Sequence, residues 1–210
     1  MAIIITGGAR SGKSDFAERY AMHLCSRGIY IATSQSWDEE MAERIKRHKQ
    51  VRESAAFAWE TIEEPYEIAA MLRKLEKEAL NGEDRPAVLI DCLTLWLTNW
   101  MLKLDADHEH PSPDKTSGTG EDTPQNRVDE SLPPVIEDFV QAVTEYSGTL
   151  LMVTNEVGSG IVPAYPLGRR FRDEAGRLNR RLAAVCEQAF LVVAGFPLDL
   201  KAHAFQLGEL

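Results

Sequence analysis

The residues with the clearest chemistry lie near the start of the chain, in a glycine-rich stretch. Gly7, Gly12, Lys13 and Ser14 follow the pattern Gly-x-x-x-x-Gly-Lys-Ser. This pattern predicts a loop whose backbone N–H groups surround phosphate, because glycines turn those groups inward without a Cβ clash. Lys13 would reach the β- and γ-phosphates of a nucleoside triphosphate, and the Ser14 hydroxyl would coordinate Mg²⁺.

The neighbouring residues predict the elements that such a loop requires. An apolar run at 3–5 precedes the loop, and Phe16, Tyr20 and Leu24 follow it at helical spacing. A strand, a loop and a helix in this order direct the positive end of the helix dipole at a bound anion. Because both flanks fit, a chance match in an ordinary glycine-rich turn is disfavoured.

Beyond the loop, apolar runs alternate with amphipathic helical patterns. Strands are predicted at 28–34, 59–65, 87–92, 148–158 and 189–195, with an edge strand at 198–205. Helices are predicted at 37–49, 66–80, 93–104 and 135–146, and in an arginine-rich segment that runs to 188. The alternation predicts an α/β fold in one domain, 1–210, with a largely parallel sheet and helices on both faces.

Asp91 is the second candidate group, since it ends a predicted apolar strand. Phosphate-loop proteins place at this position the acid that holds Mg²⁺ directly or through water. A lone acid after a strand is often only a turn residue, but the glycine loop favours the metal role. Ser14 and Asp91 are therefore the predicted metal ligands. On the next helix, Thr94, Thr98 and Asn99 either face a ligand or cap and solvate the helix.

His48 shares one helical stripe with Met41 and Ile45, so it faces the body of the protein. The cations around it are Arg44, Lys46, Arg47 and Lys49. Spacing alone leaves two interpretations open. His48 is a packed helix histidine, or it is a nucleophile that the cations keep uncharged while they attract a polyphosphate.

Three arginines follow a second glycine-rich loop at 158–163. Arg169, Arg170 and Arg172 would either contact phosphate or pair with Asp173 and Glu174. Both alternatives stay open.

Composition restricts the class of protein. The formal net charge of −10 argues against general binding to nucleic acid. No apolar run approaches the roughly 20 residues needed to span a bilayer, and Met1 and Ala2 lead directly into a strand without a signal-peptide pattern. A cytoplasmic protein is expected. The widely spaced Cys25, Cys92 and Cys186 are predicted to be buried free thiols.

Residues 105–131 differ from the rest of the chain. They contain eight acidic and two basic residues, a net charge of −6, with few apolar side chains. Such a segment cannot bury enough surface to offset the entropy of ordering, so a mobile insert is predicted. His108 and His110 are a weak metal signal, and a solvated loop is favoured.

Taken together, these motifs resemble the bifunctional adenosylcobinamide kinase / adenosylcobinamide-phosphate guanylyltransferase family of cobalamin biosynthesis. The matching segments are 6–14, 30–34, 44–49, the strand that ends in Asp91, 153–158 and 160–163. The glycine loop alone would identify only a superfamily. Its occurrence together with Thr-Asn-Glu-Val-Gly at 154–158 is much more specific.

The resemblance implies a RecA-like P-loop NTPase fold, assembled as a homotrimer, and a two-step reaction. First, ATP or GTP phosphorylates the hydroxyl of the aminopropanol arm of adenosylcobinamide, a corrinoid. Then GTP loses pyrophosphate and leaves GMP on a histidine, and the corrinoid phosphate takes the GMP to give adenosyl-GDP-cobinamide.

By its position in the motif, His48 matches the guanylylated histidine of the family, and Lys13 is the other implied catalytic residue. The implied nucleotide contacts are Gly7, Gly8, Ala9, Arg10, Ser11, Gly12, Lys13, Ser14, Ala32, Thr33, Ser34, Lys49, Gln50, Val51, Arg52, Glu63 and Asp91. Two departures from the family pattern are the long segment at 105–131 and the extra residues between His48 and Trp59.

Two other functions compete with this interpretation. One is a small-molecule kinase with the same loop but no covalent step, in which His48 is an ordinary residue. The other is a RecA-like motor or nucleotide-dependent switch that acts on nucleic acid or a partner protein; the acidic balance counts against it.

Overall fold

The computed structural model describes residues 1–35, 57–78, 85–109 and 132–205. The strands in these ranges are β1 (Ala2–Gly7), β2 (Arg27–Ala32), β3 (Ala58–Glu63), β4 (Ala87–Asp91), β5 (Leu150–Val153), β6 (Gln188–Val193) and β7 (Phe196–Asp199). The helices are α1 (Lys13–Leu24), α2 (Ile68–Glu78), α3 (Leu93–Glu109), α4 (Leu132–Glu145) and α5 (Pro166–Val185).

The described strands form one sheet in the order β3-β2-β4-β5-β1-β6-β7. Every neighbouring pair is parallel except β6 and β7, which are antiparallel. β5 lies between β1, which leads into the glycine loop, and β4, which ends in Asp91. The largely parallel α/β sheet that the sequence predicts is confirmed.

Side chains of the central strands alternate between two buried layers. In β1, Ile4 packs in the layer that contains α2 to α5, whereas Ile3 and Ile5 pack in the layer that contains α1. Ala17 and Ala21 are the buried residues that bring α1 close to the sheet. Both faces of the sheet are therefore covered, and this is why the strands are apolar throughout rather than alternating.

Two helices extend further than the sequence predicts. α3 continues through 105–109, the start of the predicted insert, and Arg170 forms an ion pair with Asp105 at 3.4 Å. α4 begins at Leu132, with Pro133 and Pro134 in its first turn, where a proline costs no intrahelical hydrogen bond. Prolines suit the first turn of a helix, so they do not mark a loop at the start of α4. The acids at the C-terminal end of α3 are disfavoured by the helix dipole, and the ion pair between Asp105 and Arg170 offsets part of that cost.

The predicted edge strand at 198–205 is displaced. β7 spans Phe196–Asp199 and pairs with β6 through a turn formed by Ala194 and Gly195, whose φ angles are 52° and 84°. Two residues with positive φ match the twist of a tight hairpin. Pro197 is accommodated because β7 lies at the edge of the sheet.

The predicted helix at 37–49, with His48, lies outside the described residues, as do residues 110–131, so the mobility of the insert stays a prediction. Across the four described ranges, none of the helices has the length and hydropathy of a membrane span.

Candidate active site

The carboxyl ends of β1, β5 and β4 lie side by side at one edge of the sheet. Ile5 and Asp91 both pair with Val153, so β5 separates the two strands. With roughly 4.8 Å between neighbouring strands, the backbones of β1 and β4 are about 10 Å apart. The structure therefore brings the glycine loop and the predicted acid to one crevice, where open α/β sheets bind their ligands.

Residues 8–12 form the loop between β1 and α1. The Ser11 N–H donates to the Gly8 carbonyl at 3.3 Å, and the Glu156 N–H, beyond the end of β5, donates to the Gly7 carbonyl at 3.0 Å. Gly12 is the N-cap of α1, and it makes no side-chain capping hydrogen bond. The first N–H groups of α1 are thus available to an anion, with the positive end of the helix dipole behind them.

Close contacts explain two of the glycines. A Cβ on Gly7 would lie 2.5 Å from the Val192 carbonyl oxygen and 2.7 Å from Ser11 Oγ. Gly12 has a φ of 91°, and a Cβ there would lie 3.3 Å from the Gly195 Cα. A side chain at either position would displace the loop, so the spacing that identified these glycines has a steric cause.

Lys13 lies against the loop that precedes it. Its side chain is buried, with only 8% of the residue exposed, and Nζ donates to the Gly8 carbonyl at 3.0 Å. An ammonium group held out of water, next to the uncapped turn of a helix, creates a positive potential at the loop. Phosphate oxygens are acceptors that both groups would stabilise.

Asp91 is half-buried at the end of β4, and a neighbouring strand fixes its carboxylate. The phenol of Tyr30, in β2, donates to Asp91 Oδ2 at 3.0 Å. Because Tyr30 is itself buried, this hydrogen bond restricts the rotation of the carboxylate. A carboxylate oriented in this way is suited to hold a cation or a cation-bound water.

The groups at this edge fit Mg²⁺. Ser14, half-buried in the first turn of α1, and Asp91 offer a hydroxyl and a carboxylate, the hard oxygen donors that Mg²⁺ prefers. The described residues contain no cluster of three or more His, Cys, Asp or Glu side chains with metal-site geometry. Such a donor set suits Mg²⁺, which is commonly bound by one or two protein oxygens, waters and substrate phosphates.

The cysteines are free, and two of the three are buried, as predicted; Cys25 is half-buried. Cys92, next to Asp91, has its pKa raised to about 11 by burial and, to a smaller extent, by the Asp91 carboxylate, although the Lys13 ammonium opposes this. Burial also raises the pKa of Cys186 to about 12. Cys92 is therefore an uncharged thiol, not a nucleophile of the site.

The other described residues of the predicted nucleotide set occupy the neighbouring strand ends. Ala32 ends β2 and pairs with Glu63, an exposed residue at the end of β3. Thr33 is fully buried, and its hydroxyl donates to the Cys92 carbonyl at 2.7 Å, whereas Ser34 is half-exposed. The hydroxyl of Ser34 is thus more accessible to a ligand than that of Thr33.

Of the polar residues on α3, Asn99 is buried and holds two segments of the crevice together. Its Nδ2 donates to the Thr33 carbonyl at 2.9 Å and to the Pro65 carbonyl at 3.1 Å. Thr98, by contrast, bonds within its helix, where its hydroxyl donates to the Thr94 carbonyl at 2.9 Å. Asn99 therefore connects two backbone segments of the crevice and is not a solvent-exposed residue of the helix surface.

A second polar network anchors the chain that follows β5. Asn155 donates to Thr94 Oγ1 from its backbone N–H at 2.9 Å and from Nδ2 at 3.1 Å. Thr154 donates to Asn179 Oδ1 at 2.8 Å, and Asn179 Nδ2 donates to the Asn155 carbonyl at 3.1 Å. Sequence analysis missed Asn179; its only signal is an amide in the middle of an arginine-rich helix.

The three arginines have protein partners. Arg169 donates to the carbonyls of Pro163 and Ala164 at 3.1 and 2.7 Å, and Arg170 pairs with Asp105. Arg172 pairs with Asp173 at 3.0 Å. The pairing alternative is thus observed for Arg172, while the other two arginines hold the loop before α5 and the end of α3.

His48 and the nucleotide contacts predicted at Lys49, Gln50, Val51 and Arg52 lie outside the described residues. The described chain stops at Gln35, three residues beyond the end of β2, and resumes at Phe57, just before β3. The described chain therefore stops, after Gln35, at the same edge of the sheet as the glycine loop.

A family model matches nearly the whole chain. The model of the CobU family, described as cobinamide kinase / cobinamide phosphate guanyltransferase, matches residues 3–200. Among solved structures, the assembled ATPase EscN of the type III secretion system of enteropathogenic E. coli matches 92% of this chain and 43% of its own, with a TM-score of 0.52 and 10% identity. That similarity concerns the fold alone, and it agrees with the predicted RecA-like P-loop architecture.

Curated relatives agree with the family model over nearly the whole chain. The bifunctional adenosylcobalamin biosynthesis protein CobP of Pseudomonas aeruginosa is 40% identical over 97% of this chain and 99% of its own. The proteins of that description called CobU in Escherichia coli and Salmonella typhimurium are each 36% identical, over 96% of this chain and all of their own. With the glycine loop, Asp91 and the sheet in their expected arrangement, the chain belongs to the cobinamide kinase / cobinamide phosphate guanyltransferase family.

Proposed function

We propose that this protein phosphorylates adenosylcobinamide with ATP or GTP and then transfers GMP from GTP, through a histidine-GMP intermediate at His48, to adenosylcobinamide phosphate. The products of the second step are adenosyl-GDP-cobinamide and pyrophosphate. The observation that carries the proposal is the loop itself, where buried Lys13 and the uncapped start of α1 face the same crevice as Asp91. Family membership supports both half-reactions.

In the first step the hydroxyl oxygen of the corrinoid attacks the γ-phosphorus, and the bond to the leaving nucleoside diphosphate breaks. The hydroxyl proton leaves with a base or with water. The chain contributes position and charge: loop amides and Lys13 hold the β- and γ-phosphates, and this favours the transition state as charge spreads over the phosphate oxygens.

Ser14 and Asp91 would hold Mg²⁺, with Tyr30 fixing the Asp91 carboxylate. When bound, the cation supplies charge neutralisation to the phosphates. The same loop and acid serve the second step, in which pyrophosphate is the leaving group.

In the second step an imidazole nitrogen of His48 attacks the α-phosphorus of GTP, and the bond to pyrophosphate breaks. A phosphate oxygen of the corrinoid then attacks the same phosphorus, and the phosphorus–nitrogen bond breaks. A neutral imidazole is suited to this chemistry because it is both a competent nucleophile and a good leaving group. We assign the remaining nucleotide contacts to the segment Ala32–Ser34, in which Ser34 rather than the buried Thr33 offers its hydroxyl, and to Lys49–Arg52 and Glu63.

The covalent step is tested by incubation with GTP labelled at the α-phosphate. We expect acid-labile, base-stable label on the chain, and we expect the label to be lost in His48→Ala but kept in His23→Ala. His23 is a matched control because it is an exposed histidine in the last turn of α1. Label that persists in His48→Ala would refute the assignment of the nucleophile. Phosphorylation of the corrinoid without any label would indicate a kinase that lacks the covalent step.

We also propose that the protein is a cytoplasmic homotrimer that does not bind nucleic acid. The β6–β7 hairpin supports assembly, since Phe196 is 74% exposed, Leu198 54% and Val193 53%, and a contiguous apolar patch often marks an interface. The net charge of −10 opposes nucleic-acid binding. Sedimentation equilibrium should give three times the chain mass, and a monomer at micromolar concentration would contradict the trimer.

A further inference from the structure

The tip of the β6–β7 hairpin touches the glycine loop. The Gly195 N–H donates to the Ser11 carbonyl at 2.8 Å. Its Cα occupies the space next to Gly12, 3.3 Å from the position that a Gly12 Cβ would take. The last strand pair of the sheet thus contacts a loop more than 180 positions earlier in the sequence.

The loop needs an external constraint because its own conformation is unfavourable. Ser11 lies between Arg10 and Gly12, which have φ angles of 56° and 91°. A left-handed conformation costs free energy at a non-glycine residue such as Arg10, and glycine adds conformational freedom that must be removed. The hydrogen bond from Gly195 therefore reaches the loop at Ser11, between the two residues whose backbone conformations are least favourable or least restricted.

The bonded carbonyl determines where the next N–H points. The Ser11 carbonyl and the Gly12 N–H belong to one planar, trans peptide unit, in which the two groups point in opposite directions. With the carbonyl turned toward Gly195, the Gly12 N–H is turned away from the hairpin. If the unit rotated, a carbonyl oxygen would take the place of the donor, and an oxygen there would repel phosphate.

We propose that Gly195 is a positioning residue for phosphate binding: it fixes the Ser11–Gly12 peptide so that the loop presents donors to the anion. The inference rests on the proposed function, in which this loop holds the triphosphate. Gly195 acts through the loop and touches no reacting atom. Because the same loop holds the triphosphate in both half-reactions, a change at Gly195 should affect both.

Gly195 offers a clean test because a side chain there would meet no atom within 4 Å, while its φ of 84° disfavours most side chains. Substitution therefore changes backbone preference without a clash. Asn adopts positive φ readily, Ala less so, and Val poorly. The structure predicts that phosphate affinity falls in the order Gly, Asn, Ala, Val.

The experiment measures dissociation constants for GTP and for inorganic pyrophosphate with the full-length chain, together with thermal unfolding of each variant. Gly195→Val should weaken the binding of both ligands by about 10- to 100-fold, because the Gly12 N–H would no longer be held toward the phosphate and one charge-assisted hydrogen bond would be lost. Gly195→Asn should bind both ligands within about threefold of wild type, because Asn adopts the required positive φ readily. His203→Ala, four residues beyond the end of β7, loses a 2.9 Å contact with the Asp199 carbonyl and should bind as wild type.

Two outcomes would overturn the inference: wild-type affinity in Gly195→Val, or equal weakening in His203→Ala. The Asn and Ala variants keep the test decisive if Gly195→Val does not fold, because a lower unfolding temperature without a graded loss of affinity would show a merely structural role. Lys13→Ala separates this inference from the proposed function. If Lys13→Ala loses GTP and Gly195→Val does not, only the positioning role is wrong; if Lys13→Ala binds GTP normally, the loop is not the phosphate site.

Discussion

Replacement of Asn99 by Leu tests whether the crevice depends on the buried amide of this residue. Asn99 is 1% exposed and is the donor to the carbonyls of Thr33 and Pro65, at 2.9 and 3.1 Å. Leu has the same branched arrangement of four side-chain heavy atoms, with two methyl groups in place of the amide oxygen and nitrogen, and it has no donor. The change therefore leaves one buried and one partly buried carbonyl without this partner, at a cost of about 1–3 kcal/mol and about 1 kcal/mol respectively.

The expected loss is about 2–4 kcal/mol in the free energy of unfolding, or about 4–16 °C in the unfolding temperature for a chain of this size. Urea denaturation followed by circular dichroism measures the first quantity. Thr98→Val is the matched control, because the Thr98 hydroxyl donates to a carbonyl of its own helix, and the loss of this hydrogen bond should cost less than about 1 kcal/mol. Asn99→Leu should also weaken GTP binding at temperatures where it is folded, because the Thr33 carbonyl precedes Ser34 in the predicted nucleotide segment.

Two results would refute this reasoning. One is an Asn99→Leu variant within about 0.5 kcal/mol of wild type, the range of neutral surface changes. The other is an equal loss in Thr98→Val, which would mean that helix α3 tolerates neither change and that the two carbonyls are irrelevant.

Three further predictions follow from single contacts. Tyr30→Phe removes the hydroxyl that donates to Asp91; we expect the Mg²⁺ concentration for half-maximal phosphorylation to rise about 10-fold, and an unchanged requirement would contradict the role of Tyr30. Gly176→Ala, at an exposed helical position with nothing within 4 Å, should raise the free energy of unfolding by about 0.5–1 kcal/mol, and thermal melts should show a higher midpoint. The free energy of unfolding should fall as pH rises from 9 to 11, because Cys92, Cys186 and Tyr146 ionise near 9, 9 and 10 when unfolded but only near 11, 12 and 12 when folded, where burial raises each pKa. Each group contributes at most about 1.4 kcal/mol per pH unit. Cys186→Ala should therefore reduce the fall by roughly 40%, and a flat profile would contradict the burial of all three groups.

Much of this site could be predicted from the sequence because its residues are local in the chain. Gly7, Gly12, Lys13 and Ser14 form one continuous motif, and steric contacts in the structure explain both glycines. Asp91 was placed from the apolar strand before it, and parallel pairing brings it to the loop. Apolar runs alternating with helices were sufficient for the fold class.

The remainder depends on contacts between distant segments. Gly195 meets the loop only because β6 pairs with β1, and nothing near Gly195 in the sequence indicates this. The Asn179 amide becomes part of the site when α5 packs next to the end of β5. The sequence predicts Thr33 as a nucleotide contact, but in the structure its carbonyl accepts from Asn99 and its hydroxyl donates to the Cys92 carbonyl.

The most direct measurement is a crystal structure of the full-length chain with a GTP analogue whose α–β bridge cannot be cleaved. The account predicts the β- and γ-phosphates at the loop amides and at Lys13 Nζ, with a ring nitrogen of His48 about 3–3.5 Å from the α-phosphorus. A triphosphate bound away from Gly7–Ser14 would contradict the whole account. A triphosphate in the loop, with His48 turned to the opposite side of the molecule, would leave a kinase and remove the guanylyl transfer.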